Sequence, residues 1–266
     1  MALPADFHLA SDEAWEQVRV APGFLTEREA RFLALVAAGA PGRGVILEIG
    51  SFKGKSTVGL ASIAARYHLG KVVAVDPHTA PSSTDPSLGG QMSSFDDFRH
   101  TLAQAGLTEH VEVHRTFSRD LAPGWSRPIR FLWIDGDHTY AGAKQDLDLF
   151  APHLAAGGVV ALHDVLHNFA GPIRVFVEDV LGSDRYGPAG CCGSIGWAQY
   201  RPADGGSARF RDGRRALARR AARLIRLSEL GRDLRGVAKL RYKLQRALVP
   251  HGDVDPEVWA TLMSDI

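Results

Sequence analysis

The sequence predicts an α/β fold, a doubly wound and mostly parallel sheet with helices on both faces, and three observations predict it. Short, nearly continuous apolar runs alternate with helical patterns from about residue 26 to residue 181. The runs lack the polar alternation of a sheet with one wet face, so both faces must be covered. Three of the runs end abruptly in charge, at Asp76, at Asp135 and at His163-Asp164. Packing alone gives a buried strand no reason to carry acids and imidazoles at its tip. In open α/β sheets the carboxyl edge is where ligands bind.

The elements follow in order. Thr26-Glu27-Arg28-Glu29 reads as a capping box that opens a helix through about Ala38. Strand one is Val45–Ile49, followed by a helix from about Ser56 to Arg66. Lys71–Asp76 is strand two, and Phe95–Ala105 the next helix. Val111–Arg115 is strand three, Ile129–Asp135 strand four, and Tyr140–His153 a helix. Val159–His163 is strand five, Pro172–Leu181 a helix, and Gly196–Tyr200 a last strand whose direction the sequence leaves open. The stretch Pro77–Ser94, rich in Pro, Ser and Gly, is long for a connection inside a domain. It reads as a lid over the carboxyl edge.

Composition bounds the rest. At 266 residues, 45 % hydrophobic and 23 % charged, the chain suits one soluble domain with an appendage. No signal peptide or membrane span is read. The two cysteines, Cys191 and Cys192, are adjacent and lack a C-x-x-C spacing, so a reducing, cytoplasmic setting is expected. The net charge of +1 hides an asymmetry: residues 201–248 hold 15 Lys/Arg against 4 Asp/Glu. The division expected is an N-terminal segment 1–24, a catalytic domain 25–203 and a basic helical extension 204–266. In the extension Leu227, Leu230, Leu234, Val237, Leu244 and Leu248 form a helical stripe, preceded by Arg214, Arg215, Arg219, Arg220, Arg223 and Arg226. This reads as a solvated amphipathic helix docked on the body or on a second copy of the chain. The sharper alternative is contact with anionic lipid, phosphate or nucleic acid, with a membrane-peripheral location.

Two motifs carry the chemistry. Glu48-Ile49-Gly50-Ser51-Phe52-Lys53-Gly54-Lys55-Ser56 joins strand one to its helix. Gly50 and Gly54 allow a tight turn and close approach of a ligand, and the helix start offers free amides. The spacing is neither a P-loop nor G-x-G-x-x-G. Strand two then ends in Asp76, at the distance where α/β folds set an acid on a ribose diol. This E-x-G-x-x-x-G-x-S pattern followed by a strand ending in Asp resembles the class I S-adenosylmethionine-dependent methyltransferases. Ile134-Asp135-Gly136-Asp137-His138-Thr139-Tyr140, Asp146-Leu147 and Leu154 to Asp164 are similar to the small-molecule O-methyltransferase branch. That branch includes macrolide and aminocoumarin sugar O-methyltransferases and a cephamycin-biosynthesis protein. The resemblance spans about residues 25–200 and stops before the basic tail.

The resemblance implies a Rossmann-like sheet of the seven-stranded type and S-adenosylmethionine as cofactor. Glu48, Gly50 and Ser51, with Gly54 and Ser56 of the same loop, would hold its methionine end. Asp76 would bind the ribose, Ser118 would lie at the adenine, and Asp135 would face the cofactor. Asp135 and Asp164 match metal-binding carboxylates, and His138 matches a general base. Several metal-dependent relatives place Glu before the second Asp, whereas this chain has His163, a third candidate ligand. Oxygen ligands suit Mg²⁺, and an imidazole brings Mn²⁺ into the set. Asp137 is read as the cap of the next helix, and His78, His100, His110 and His114 as surface or packing residues. His167 could reach a substrate or simply face solvent. The expected activity is methyl transfer to a hydroxyl of a small molecule, a sugar or glycosylated natural product, with His138 as base and metal assistance. Two alternatives stand beside it: a nucleic-acid-modifying enzyme, disfavoured by the acidic body, and a cofactor-binding scaffold or partner protein without turnover of its own.

Overall fold

The computed structural model of the protein describes residues 3–79, 93–202, 207–229 and 234–264. Seven strands form one sheet in the order β3-β2-β1-β4-β5-β7-β6. The strands are β1 (Val45–Ile49), β2 (Val72–Val75), β3 (Val111–His114), β4 (Ile129–Ile134), β5 (Leu154–Leu162), β6 (Tyr186–Cys192) and β7 (Ile195–Tyr200). The first five run parallel. β7 pairs antiparallel to both β5 and β6, which settles the direction of the last strand. The order reverses between β1 and β4, so the tips of these two strands border the crevice where such sheets bind ligands.

The inner strands are apolar because they are covered on both faces, whereas the edge strand β3, Val111-Glu112-Val113-His114, is only partly buried. β2 and β4 are buried along their whole length. One face packs under α1 (Phe7–Val18), α2 (Glu27–Gly39) and α3 (Lys55–Arg66). The other packs under α6 (Tyr140–Phe150) and α7 (Ala170–Val175), which continues as a π-wound turn over Phe176–Leu181. The helix expected from Pro172 thus starts two residues earlier and loosens in its second half. α1 lies within residues 1–24, and its buried Phe7, Ala10, Ala14 and Val18 join the core. α2 begins with the capping box: Glu29 Oε2 accepts from the Thr26 amide at 3.0 Å, and the Glu29 amide donates to Thr26 Oγ1.

The basic segment does not form one helix. α8 (Arg211–Ser228) holds Leu227 and α9 (Gly236–Ala247) holds Val237 and Leu244, Leu234 and Leu248 lie outside the helices, Leu230 lies outside the described residues, and α10 (Pro256–Ser264) follows. Arg215, Arg219, Arg220, Arg223 and Arg226 are exposed, as expected. Arg214 is not. It is 3 % exposed and donates to the carbonyls of Tyr186, Gly187 and Ser207, fastening α8 to the edge strand β6. Of the lid stretch, residues 80–92 lie outside the described residues, and a single bridge from Thr79 to Ser93 closes its base. No helix among the described residues is long and apolar enough to cross a membrane.

Candidate active site

The carboxyl ends of β1, β2, β4 and β5 deliver the expected side chains to one edge. The ladder hydrogen bonds run one residue past the strands, from the Gly50 amide to Val75, from Asp135 to Ile49 and from His163 to Ile134. The tip residues are therefore held by backbone rather than left on free loops. Three of the four non-glycine residues with positive φ among the described residues, Phe52, His78 and Asp164, lie at this edge. Such conformations are costly for side-chain-bearing residues and cluster at functional sites. Asp164, at φ 57°, turns the chain sharply out of β5.

The glycine loop is shaped by carboxylates. Asp76 accepts from the Ser51 and Phe52 amides at 2.9 and 2.8 Å and from the His78 amide at 2.6 Å. Glu48 is wholly buried, and its carboxylate is taken by the hydroxyls of Ser56 at 2.5 Å and Thr57 at 2.6 Å. Burial pushes its pKa up to about 8. Glu48, Ser56 and Thr57 thus brace the loop from beneath. Gly50, at φ 86°, lies so close to β4 that a Cβ there would meet the Asp135 carbonyl oxygen at 2.2 Å. Gly54, also left-handed at φ 92°, is the N-cap of α3. Ser51 is 2 % exposed, and its buried Oγ has no hydrogen-bond partner. Ser118 starts the short helix α5 (Ser118–Leu121) and donates to Asp146 at 2.5 Å. Burial raises Asp146 to about 6.

A cavity of about 490 Å³ opens beside this loop. Gly50, Ser51 and Ser56 line it on the loop side, and Asp135, His138, His163 and Asp164 at the strand tips. His138 Nε2 lies 3.5 Å from Asp135 Oδ1 and 3.6 Å from Asp164 Oδ2. Its ring packs on Phe169, centroids 4.3 Å apart. Burial opposes its charge, but Asp135 and Asp164 outweigh burial and hold its pKa above the usual histidine value. His163 Nδ1 lies 3.1 Å from Asp135 Oδ1, and its Nε2 3.9 Å from Glu29 Oε2. Burial again opposes charge, and the carboxylates of Asp135 and Asp164 overcome it, raising His163 well above its ordinary value. Asp135 answers in kind: burial opposes its ionisation, and the two imidazoles hold it below the usual carboxylate range.

The donor atoms that gather tightly enough for a cation are those of Asp135, His138 and Asp164, all within 4.8 Å of one another. His163, expected as a ligand, is absent from this group. Its Nδ1 faces Asp135 at 3.1 Å and its Nε2 faces Glu29 at 3.9 Å. Asp137 does not cap the helix either. It accepts from the Thr139 amide at 2.8 Å, and Thr139 is the N-cap of α6, its hydroxyl accepting from Gly142.

Several cavity residues escape sequence reading. Glu29 is legible as a capping residue, yet it is 4 % exposed and lines the cavity. There Ser194, in the turn between β6 and β7, donates to it from its amide at 2.8 Å and its hydroxyl at 2.6 Å. Burial raises the Glu29 pKa, and His163, Ser194 and Thr26 together pull it below the usual range. Phe24, 79 % exposed, stacks on Phe52 at the cavity wall, with ring centroids 6.3 Å apart. His167 is exposed and still lines the cavity, as does Arg246 of α9.

Residues 47–165 match the sequence family described as "Methyltransferase domain". Among solved structures, the O-methyltransferase TomG from Streptomyces achromogenes, involved in tomaymycin synthesis and solved in complex with SAM, is 20 % identical. The match covers 74 % of this chain and 90 % of TomG with a TM-score of 0.53. The O-methyltransferase NovP is 14 % identical over 73 % of this chain and 98 % of its own, with a TM-score of 0.58. An O-methyltransferase from Bacillus cereus, in complex with SAH, is 22 % identical over 72 % and 90 %, with a TM-score of 0.50. At these identities the likeness is one of fold. The strand-tip geometry, the glycine loop and the matched segment converge: residues 47–165 are similar to a methyltransferase domain, and the seven-stranded sheet has the fold seen in S-adenosylmethionine-dependent O-methyltransferases of known structure.

Proposed function

We propose that the protein is an O-methyltransferase that methylates a hydroxyl of a small molecule, a sugar or a glycosylated natural product, with His138 as general base. The observation that carries this reading is the placement of His138 between two carboxylates on the wall of a cavity that also touches the glycine loop. The cofactor fits the residues present. The orphaned Ser51 hydroxyl and the Gly50 turn face the cavity as partners for its polar amino-acid end. Asp76 would share its carboxylate with the ribose, and Ser118 would meet the adenine. When bound, S-adenosylmethionine supplies a methyl group on a sulfonium, a strong electrophile.

The chain's own residues must then solve the weakness of an alcohol as nucleophile. His138 Nε2 takes the hydroxyl proton, and Asp135 and Asp164 stabilise the imidazolium that results. Phe169 fixes the plane of the imidazole. Phe24 and Phe52 lend the cavity an apolar wall. Positioning of hydroxyl against methyl provides much of the acceleration. The cluster of Asp135, His138 and Asp164 has the donor types for Mg²⁺ or Mn²⁺. An ion held there would lower the hydroxyl pKa, and it would compete with the proton for the His138 lone pair. Base and metal ligand are thus alternative roles for this imidazole.

The test is calorimetric titration with S-adenosylmethionine, with and without Mg²⁺ or Mn²⁺, on the native protein and Asp76→Ala. Native binding that weakens about tenfold or more in the variant supports the cofactor placement, since a hydrogen bond to a charged group is worth about 1.5–3 kcal/mol. Methylation of a hydroxyl panel then identifies the acceptor. Cofactor binding without methylation of any panel member would favour the scaffold reading.

A further inference from the structure

We propose that the acceptor carries an anionic group, a phosphate or a carboxylate, and that Arg246 receives it. The inference rests on the reading of the cavity as the acceptor site, and deepens it. Arg246 belongs to α9, in the extension that the family resemblance does not reach, and yet it lines the same cavity as His138 and Asp164. It is half-buried, and its Nε is shut off from solvent without a hydrogen-bond partner. No ion pair or side-chain hydrogen bond of Arg246 is found among the described residues.

The other cations at the cavity are engaged. Lys53 pairs with Asp97 at 2.8 Å, and Lys55 donates to the Ala21 carbonyl at 2.6 Å. His163 is enclosed by Asp135, Asp164 and Glu29. The carboxylates are likewise committed, Glu29 to Ser194 and Thr26, Asp135 and Asp164 to the two imidazoles. Lys55 thus has a carbonyl but no counter-charge, and Arg246 is the cavity-wall cation whose head group has neither an ion pair nor a hydrogen bond among the described residues. A guanidinium cannot shed its proton to relieve that burial. Taking charge partly out of water without a partner is costly unless a ligand supplies the counter-charge. A neutral sugar would not need it, whereas the planar fork of a guanidinium matches the paired oxygens of phosphate or carboxylate.

The placement is built rather than incidental. Tyr242, one turn before Arg246, is 8 % exposed and packs into the core, which fixes this face of α9 toward the body. The segment 201–248 that carries Arg246 holds 15 Lys/Arg against 4 Asp/Glu, a surplus of positive charge that favours anions. The methyl-accepting hydroxyl and the anion would then sit on one molecule, with His138 holding the first and Arg246 the second.

The experiment saturates native protein with S-adenosylhomocysteine and titrates it with uridine diphosphate, glucuronate and glucose in turn. At least one anionic probe is expected to bind more tightly than glucose. Arg246→Ala is expected to weaken that probe about tenfold or more, which is about 1.4 kcal/mol, with unchanged affinity for S-adenosylhomocysteine. Arg246→Lys should restore part of the loss, and Arg246→Gln, which keeps the stem and a polar head, should match Arg246→Ala if charge is what matters. Tighter binding of uridine diphosphate assigns a phosphate source, and tighter binding of glucuronate a carboxylate source. Equal binding by native protein and Arg246→Ala, or failure of both anions to bind native protein, overturns the proposal. Failure of native protein to bind S-adenosylhomocysteine would instead bring down the cofactor reading and this inference with it.

Discussion

Two imidazoles and three carboxylates meet at one cavity, and their contacts divide the labour. His163 is enclosed by acids on both sides, whereas His138 turns toward the cavity and leans on Phe169. His138→Gln is expected to lower turnover by about 10²–10⁴-fold, the usual worth of a general base, with unchanged binding of S-adenosylhomocysteine. A parallel loss of cofactor binding would make His138 a structural residue instead. Glu48 gives a second prediction. Its folded pKa of about 8 lies above the ordinary 4.5, so the folded protein keeps a proton that the unfolded chain releases in between. Its contribution to stability is full below about pH 4.5 and is lost as pH rises through 8. Urea unfolding of Glu48→Gln should therefore gain on the native protein between pH 5 and pH 8.5, at about 1.4 kcal/mol per pKa unit at most. A difference independent of pH would refute this. At this scale the sequence shows which residues stand at the strand tips, because carboxylates ending apolar runs are conspicuous. It does not show their partners. Glu29 and Ser194 are 165 positions apart and meet only because the antiparallel pair folds back onto α2.

Elements differ in how plainly they are written. β2, β4 and the second half of β5 are legible because burial on both faces leaves unbroken apolar runs. β6 is not, because Tyr186-Gly187-Pro188-Ala189-Gly190 carries two glycines and a proline and no periodicity. Such a segment is tolerated where β6 lies, at the sheet edge, since an edge strand can spare a backbone donor. α1 had a signal in the spacing of Phe7, Ala10, Ala14 and Val18, obscured by the polar residues among them. The turn after β1 is the element on which function leans most. Gly50→Ala would drive a methyl into the Asp135 backbone at a φ that L-residues rarely adopt. The expected result is a lower unfolding temperature together with loss of S-adenosylhomocysteine binding, read by scanning calorimetry with and without the ligand. An alanine variant that binds normally would show that the loop can move away from β4.

For the whole molecule, the boundary at residue 203 can be judged by what it would uncover. Ala221 and Leu224 of α8 are fully buried in the core on one face of the sheet, and Trp259 of α10 is fully buried in the core on the other. Truncation after residue 203 is therefore expected to abolish cooperative unfolding, measured by near-ultraviolet dichroism during heating. A truncated protein that melts as sharply as the full chain would make 204–266 a true appendage. The two cysteines supply a check on compactness. Burial pushes both thiols up to about 12, so neither should react with Ellman's reagent until the protein unfolds. Charge composition revealed the basic segment but not its split into helices, because a leucine stripe reads the same whether or not a turn interrupts it. Nor could it reveal that Arg214 turns inward or that Arg246 reaches the cavity.

Trp259 has a consequence for how the protein comes into being. It stands edge-on to Phe32 of α2, ring centroids 5.6 Å apart, and nearby Arg28 and Asp253 pair across 225 positions. During synthesis α2 leaves the ribosome long before the residues that cover it. At about 5–20 residues per second, the patch of α2 that faces Trp259 waits on the order of tens of seconds for its partner, while α1 and α3 cover the rest. The part of α2 that Trp259 covers is thus closed only once α10 has emerged, late in the order in which the elements are made.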